Sequence, residues 1–179
     1  MKALYVGRVS KEKNLPILVQ AFKTVVGSLK QDNDGAADPG IRLLVVGDGA
    51  YCEEMKDTCD GYPVTFTGEL HGEELAEAFA SADLFVFPST TDTFGRVILE
   101  AMASGIPCIV SDVGGPKENI VHGVTGLVVS GDNEAALCQA IITLGFNMDR
   151  EKMGKEAREF TETKSLSGAF DQYWALYAA

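Results

Sequence analysis

Five short apolar runs, ALYVG (3–7), IRLLVVG (41–47), VTFTG (64–68), DLFVFP (83–88) and CIVSD (108–112), are separated by stretches of helical periodicity. Runs that are apolar on both faces fit strands covered by helices on each side, the arrangement of parallel sheets. The helical stretches fall at roughly 14–30, 50–60, 72–81 and 95–104, and this βαβ repetition predicts an α/β fold, a doubly wound and mostly parallel sheet flanked by helices. GLVV (126–129) adds a sixth strand, followed by helices near 132–145, 150–160 and 165–178. In such a sheet, ligands collect at the carboxyl ends of the strands.

The chain of 179 residues suits a single domain with one core, spanning 1–179. QDNDGAADPG (31–40) is a loop, a surface insertion rather than a linker. With 46% hydrophobic and 23% charged residues, neither disorder nor a fibrous class is expected. A formal charge of −11 argues against nucleic acid as a partner, because neutralising phosphates takes clustered Lys and Arg. No apolar run reaches the roughly 18 residues that span a bilayer, and the Met1 end lacks a secretory layout, so a cytoplasmic location is expected. Cys52, Cys59, Cys108 and Cys138 form no CxxC pair; reduced packing thiols and no metal site are expected.

The stretch PSTTDTFGRVILEAMASGIP (88–107) places Asp92 and Glu100 eight residues apart around a helix start at Phe94-Gly95. From Gly95 onward the helix is apolar nearly all round, which suggests a buried helix and a buried Glu100 with a hydrogen-bonding partner. The N–H groups of Thr93, Phe94 and Gly95 would project from the helix N-terminus, where the dipole favours an anion such as a diphosphate.

Three further motifs fall at strand ends. In GRVSKEKN (7–14), Arg8 follows a strand and Lys13 precedes a helix with Asn14 as its N-cap and Pro16 in its first turn. The two cations either face one anion or are solvated surface charge. VVGDGA (45–50) is read as a plain turn in preference to a ligand contact. VGGPKE (113–118) either lines a pocket or is structural, and neither glycine motif forms GxGxxG or GxxxxGK[ST]. His71 and His122 lack metal-ligand spacing and are read as solvated or capping. Ser89, Ser104 and Ser111, without a G-x-S-x-G elbow, are read as turn or cap residues. Phe170, Tyr173, Trp174 and Tyr177 form an aromatic stripe on the last helix.

On GRVSKEKN and PSTTDTFGRVILEAMASGIPCIVSDVGGPKE, the chain resembles the C-terminal half of family 4 retaining glycosyltransferases (glycosyl transferases group 1), over most of residues 3–145. The resemblance implies a GT-B fold, in which this Rossmann-like half binds a nucleotide diphosphate sugar and a missing N-terminal domain binds the acceptor. It implies that Gly7, Arg8 and Lys13 attend the donor diphosphate, that Glu100 holds the ribose hydroxyls, and that Thr93, Phe94 and Gly95 offer backbone donors. Asp92 occupies the first acidic position of the family's Glu-x7-Glu motif, beside the transferred sugar, and is one methylene shorter than the usual Glu. The implied catalytic set is Arg8, Lys13, Asp92 and Glu100, with no cofactor and no metal.

The chain begins almost at a strand, as if excised from a longer enzyme, so the whole parent is the expected transferase and the fragment is expected to be inactive. Residues 165–179 would approach the missing domain, to which any membrane contact is assigned. Alternatives are a nucleotide-sugar binding module without turnover, a GT-B-type sugar-nucleotide epimerase, which lacks the acidic pair, and an unrelated flavodoxin-like domain.

Overall fold

The computed structural model describes residues 1–32, 38–146 and 149–163. Six strands, β1 (Lys2–Val6), β2 (Arg42–Val46), β3 (Val64–Gly68), β4 (Leu84–Phe87), β5 (Cys108–Ser111) and β6 (Gly126–Val129), form one sheet of order β3-β2-β1-β4-β5-β6. Every neighbouring pair is parallel. Each strand lies within about a residue of its expected bounds.

Among the described residues, α1 (Leu15–Asp32), α2 (Cys52–Thr58), α3 (Gly72–Ala80) and α4 (Arg96–Ala103) alternate with the first five strands, and α5 (Glu134–Phe146) and α6 (Arg150–Thr163) follow β6. α1 packs on α5 and α4 on α6. The chain winds outward from β1 to β3, then crosses back to β4 and winds the other way. Right-handed crossovers in opposite directions put helices on opposite faces of the sheet. The helix and aromatic stripe expected over 165–178 lie outside the described residues.

Burial follows position in the sheet. β4 and β5 are buried at every residue, whereas edge strand β3 alternates between half-buried and exposed. Tyr5, Phe87, Phe85 and Phe79 form a row through the core, with successive ring centroids 6.0–6.1 Å apart. The four cysteines are buried free thiols, and burial pushes the Cys108 thiol well above its ordinary range.

Two expectations at strand ends are corrected. The GDG turn is a site of close approach: a Cβ on Gly47, whose φ is +128°, would lie 2.0 Å from the Gly7 carbonyl oxygen. The turn thus packs backbone on backbone against the segment leaving β1, tied by Gly7 N–H to Val46 O (3.0 Å) and Val9 N–H to Asp48 O (2.9 Å). Asn14 is not a side-chain N-cap. It ends a 3-10 turn (Lys11–Lys13) with φ 58°, and its amide instead donates to Pro88 O (3.3 Å) and Gly131 O (2.6 Å). Those bonds tie the start of α1 to the ends of β4 and β6 across the sheet.

The Tyr5 hydroxyl donates to Arg8 O at 2.8 Å, anchoring the segment after β1 from within the core. Burial, reinforced by the negative charge of Asp92, pushes its phenol well above the usual range, partly offset by Arg8. The folded state therefore holds the neutral phenol while the unfolded chain ionises near pH 10. Stability from this group is complete below about pH 10 and is lost as pH rises beyond it. Tyr5→Phe should lose about 1 kcal/mol of stability in urea unfolding at pH 7, and its stability should fall less steeply than the wild type's above about pH 10.

Candidate functional site

The reversal of strand order separates the segments leaving β1 and β4, and between them opens a cleft of about 640 Å3. Tyr5 and Phe87 lie at its base, where the core row reaches the sheet edge. Its walls carry Gly7, Arg8 and Lys13 from the first segment, and Asp92, Thr93, Phe94, Gly95 and Glu100 from the loop and helix after β4. All eight sequence-derived site residues therefore meet in one cavity, although they lie up to 93 positions apart.

The two basic residues are held differently. Lys13 Nζ contacts both carboxylate oxygens of Asp92 at 3.0 Å, with the side chains only 16% and 25% exposed. Arg8 is 71% exposed and its guanidinium lies 3.4 Å from Glu12. Both cations line the cleft, each with an acid at hand. Thr91 Oγ1 donates to Glu12 O (3.2 Å), joining the two walls a second time.

Glu100 differs from expectation: it is exposed at the cleft and its carboxylate makes no hydrogen bond or ion pair among the described residues. α4 buries Ile98, Ala101 and Met102, a stripe at helical spacing, and this turns Arg96, Glu100 and Ala103 outward. The carboxylate is hydrated, so it needs no internal partner and is free to accept from a ligand.

The N–H groups of Thr93, Phe94 and Gly95 donate to no acceptor among the described residues. Gly95 precedes α4 in the left-handed conformation (φ 74°, ψ 56°) with no side-chain cap. Unpaired donors at a helix N-terminus, beside Lys13 and Arg8, suit an anion.

The sequence left the role of VGGPKE open, and the geometry makes it a support. Gly115 N–H donates to Asp92 O (3.0 Å), and a Cβ on Gly115 would stand 1.7 Å from the Thr93 carbonyl oxygen. Asn119, only 5% exposed, donates through Nδ2 to Phe94 O at 2.6 Å. Neither Gly115 nor Asn119 borders the cleft; they lie behind its loop. Sequence reasoning missed Asn119 and Tyr5: Asn119 acts on a backbone carbonyl 25 residues away in the chain, and Tyr5 on the Arg8 carbonyl that the turn after β1 brings to its hydroxyl. Ser89, Ser104 and Ser111 do serve turns and caps, binding Thr91 N–H, Glu100 O and Val113 N–H. His122 Nδ1 accepts from Val128 N–H (3.0 Å), and His71 is an exposed residue 3.9 Å from Glu69. Among the described residues, no cluster of His, Cys, Asp and Glu could hold a metal ion, and no helix is long and apolar enough to cross a membrane.

Fold and site together define a Rossmann-like α/β domain whose switch-point crevice presents cations, unpaired backbone donors and a free carboxylate. Residues 1–146 match the family model of the group 1 glycosyl transferases, and the chain belongs to that family. It is 39% identical over 163 residues to a sulfoquinovosyl transferase of Arabidopsis thaliana, covering 89% of this chain and 29% of that protein. It is 33% identical over 176 residues to a GDP-mannose-dependent alpha-mannosyltransferase of Mycolicibacterium smegmatis, covering 98% of this chain and 42% of that protein. Sucrose-phosphate synthase from Thermosynechococcus elongatus superimposes with a TM-score of 0.77 at 30% identity, over 99% of this chain and 45% of that one. The chain thus spans less than half the length of each of these proteins, and over that span its Rossmann-like fold matches GT-B glycosyltransferases.

Two outcomes are expected. Gly115→Ala should lose about 3 kcal/mol of stability in denaturant titration, since the Thr93 carbonyl must move to admit a methyl group. Asp92→Asn removes the anion now paired with Lys13, so inorganic diphosphate should bind about fivefold more tightly by calorimetry, roughly 1 kcal/mol. Weaker binding by that variant would mean that Asp92 does not compete for Lys13.

Proposed function

We propose that this chain is the nucleotide-sugar donor-binding half of a retaining glycosyltransferase, which transfers a sugar from a nucleotide diphosphate sugar to an acceptor held by a second domain. The observation that carries this reading is the set of unpaired N–H groups at Thr93, Phe94 and Gly95 in the same cleft as Lys13, Arg8 and Glu100. A diphosphate matches the donors and cations; vicinal hydroxyls match the free carboxylate. The named relatives, a GDP-mannose-dependent enzyme among them, give the same direction.

In this reading the donor's bond between the anomeric carbon and the diphosphate oxygen breaks, with positive charge growing on the sugar and negative charge on the departing diphosphate. Lys13, Arg8 and the N-terminal N–H groups answer the negative charge, each well-placed donor contributing on the order of 3 kcal/mol at the transition state. With those groups in place the reaction draws on no metal or other cofactor. Asp92 lies beside Lys13 and faces the transferred sugar. Retention means that the acceptor oxygen joins the anomeric carbon on the face the diphosphate leaves, its hydroxyl proton passing to the departing diphosphate oxygen. Glu100, one and a half turns along α4 from the N–H cluster, accepts from the ribose hydroxyls.

Calorimetric titration with UDP, GDP and ADP and their sugar derivatives tests the reading. One nucleotide should bind, and Glu100→Ala should weaken it about tenfold, the loss of about 1.4 kcal/mol for charge-assisted hydrogen bonds. Absence of binding by all three would overturn the donor-domain assignment.

A further inference from the structure

Resting on that reading of the cleft, we infer that Asn119 is a positioning residue that aims the Thr93–Gly95 backbone donors at the bound ligand. The loop 92–95 lies between the cleft and the segment Gly115–Asn119. On its rear side two carbonyls are held: Asp92 O by Gly115 N–H at 3.0 Å and Phe94 O by Asn119 Nδ2 at 2.6 Å.

Among the described residues every peptide bond is trans. In a planar trans peptide, the N–H points opposite to the preceding carbonyl. Holding Asp92 O and Phe94 O to the rear therefore turns Thr93 N–H and Gly95 N–H forward, toward the cleft. The fact that neither donates to any acceptor among the described residues agrees with this.

The two restraints are unequal. Gly115 donates from its main chain and blocks any approach by shape alone, its absent Cβ falling 1.7 Å from Thr93 O. Asn119 is the side-chain component. It comes from a four-residue 3-10 turn (Pro116–Asn119), and its buried amide supplies the donor that keeps the Phe94–Gly95 peptide from flipping. Gly95 is otherwise easy to turn, having no side chain and a left-handed conformation at the head of α4. Were that peptide to flip, the Phe94 carbonyl would face the diphosphate and replace attraction by repulsion.

The test compares two variants that each break one buried hydrogen bond. Asn119→Leu removes the donor to Phe94 O. Thr125→Val removes the buried hydroxyl that accepts from Val121 N–H at 2.9 Å, away from the cleft. Both should lose stability in urea. Only Asn119→Leu should lose affinity for the sugar nucleotide that the wild type binds, by tenfold or more, and only in it should the amide NMR resonances of Thr93 and Gly95 move in the ligand-free protein. Asn119→Ser, with its hydroxyl too short to reach Phe94 O, substitutes if the Leu variant does not fold. Equal affinity in Asn119→Leu and wild type, or an equal loss in Thr125→Val, would overturn the inference. If the wild type binds no nucleotide, the donor-site reading fails, and unmoved Thr93 and Gly95 resonances would then overturn the inference on their own.

Discussion

The structure turns on the point where the chain reverses direction in the sheet, between β1 and β4. Strands on either side of it send their connections opposite ways, so the loops leaving β1 and β4 diverge and a crevice remains between them. The register shows the junction: β1 pairs with β2 along five residues but with β4 at only Ala3 and Leu4. Asn14 spans the gap with two hydrogen bonds, to Pro88 O and Gly131 O, and thereby fixes where Lys13 stands relative to Asp92. A polar side chain in a left-handed conformation at this junction is strain compensated by two carbonyls that would otherwise lack donors.

From that junction the charge distribution follows. Cations that share a cleft repel one another if they stand alone, and here two of them have a carboxylate, Asp92 for Lys13 and Glu12 for Arg8. The charges of these two pairs are thus balanced before any ligand arrives, while the N–H groups of Thr93 to Gly95, which donate to no acceptor among the described residues, carry a fixed partial positive charge. Backbone donors need no reorganisation to meet a ligand; side-chain pairs must exchange partners. Rigidity behind the loop, from Gly115 and Asn119, matters for that reason.

Much of this was legible in the sequence. Strand and helix bounds followed from apolar runs and helical periodicity, and the eight candidate residues from two motifs at strand ends line one cleft. What misled was reasoning from local composition. Glu100 in an apolar stretch suggested a buried acid, yet the 3.6-residue period puts it opposite Ile98, Ala101 and Met102, on the open side of α4. The GDG motif looked like turn chemistry and VGGPKE stood open between pocket lining and structure, but Gly47 and Gly115 are small because another backbone lies within 2.0 Å of where their Cβ would be. Such contacts join residues far apart in the chain, Gly47 to Gly7 and Gly115 to Thr93, and no local pattern encodes them.

The sequence by itself determined the order of elements, the parallel sheet and the chemical kinds of group available to the site, because periodicity, chain direction and side-chain chemistry are local properties. Only the tertiary structure decided which groups face one another: that Lys13 is held by Asp92, that Glu100 is open to solvent, and that Asn119 bonds the Phe94 carbonyl. Those relations depend on the twist and stacking of six strands and on close approaches of a few ångströms, which arise when the whole sheet is assembled.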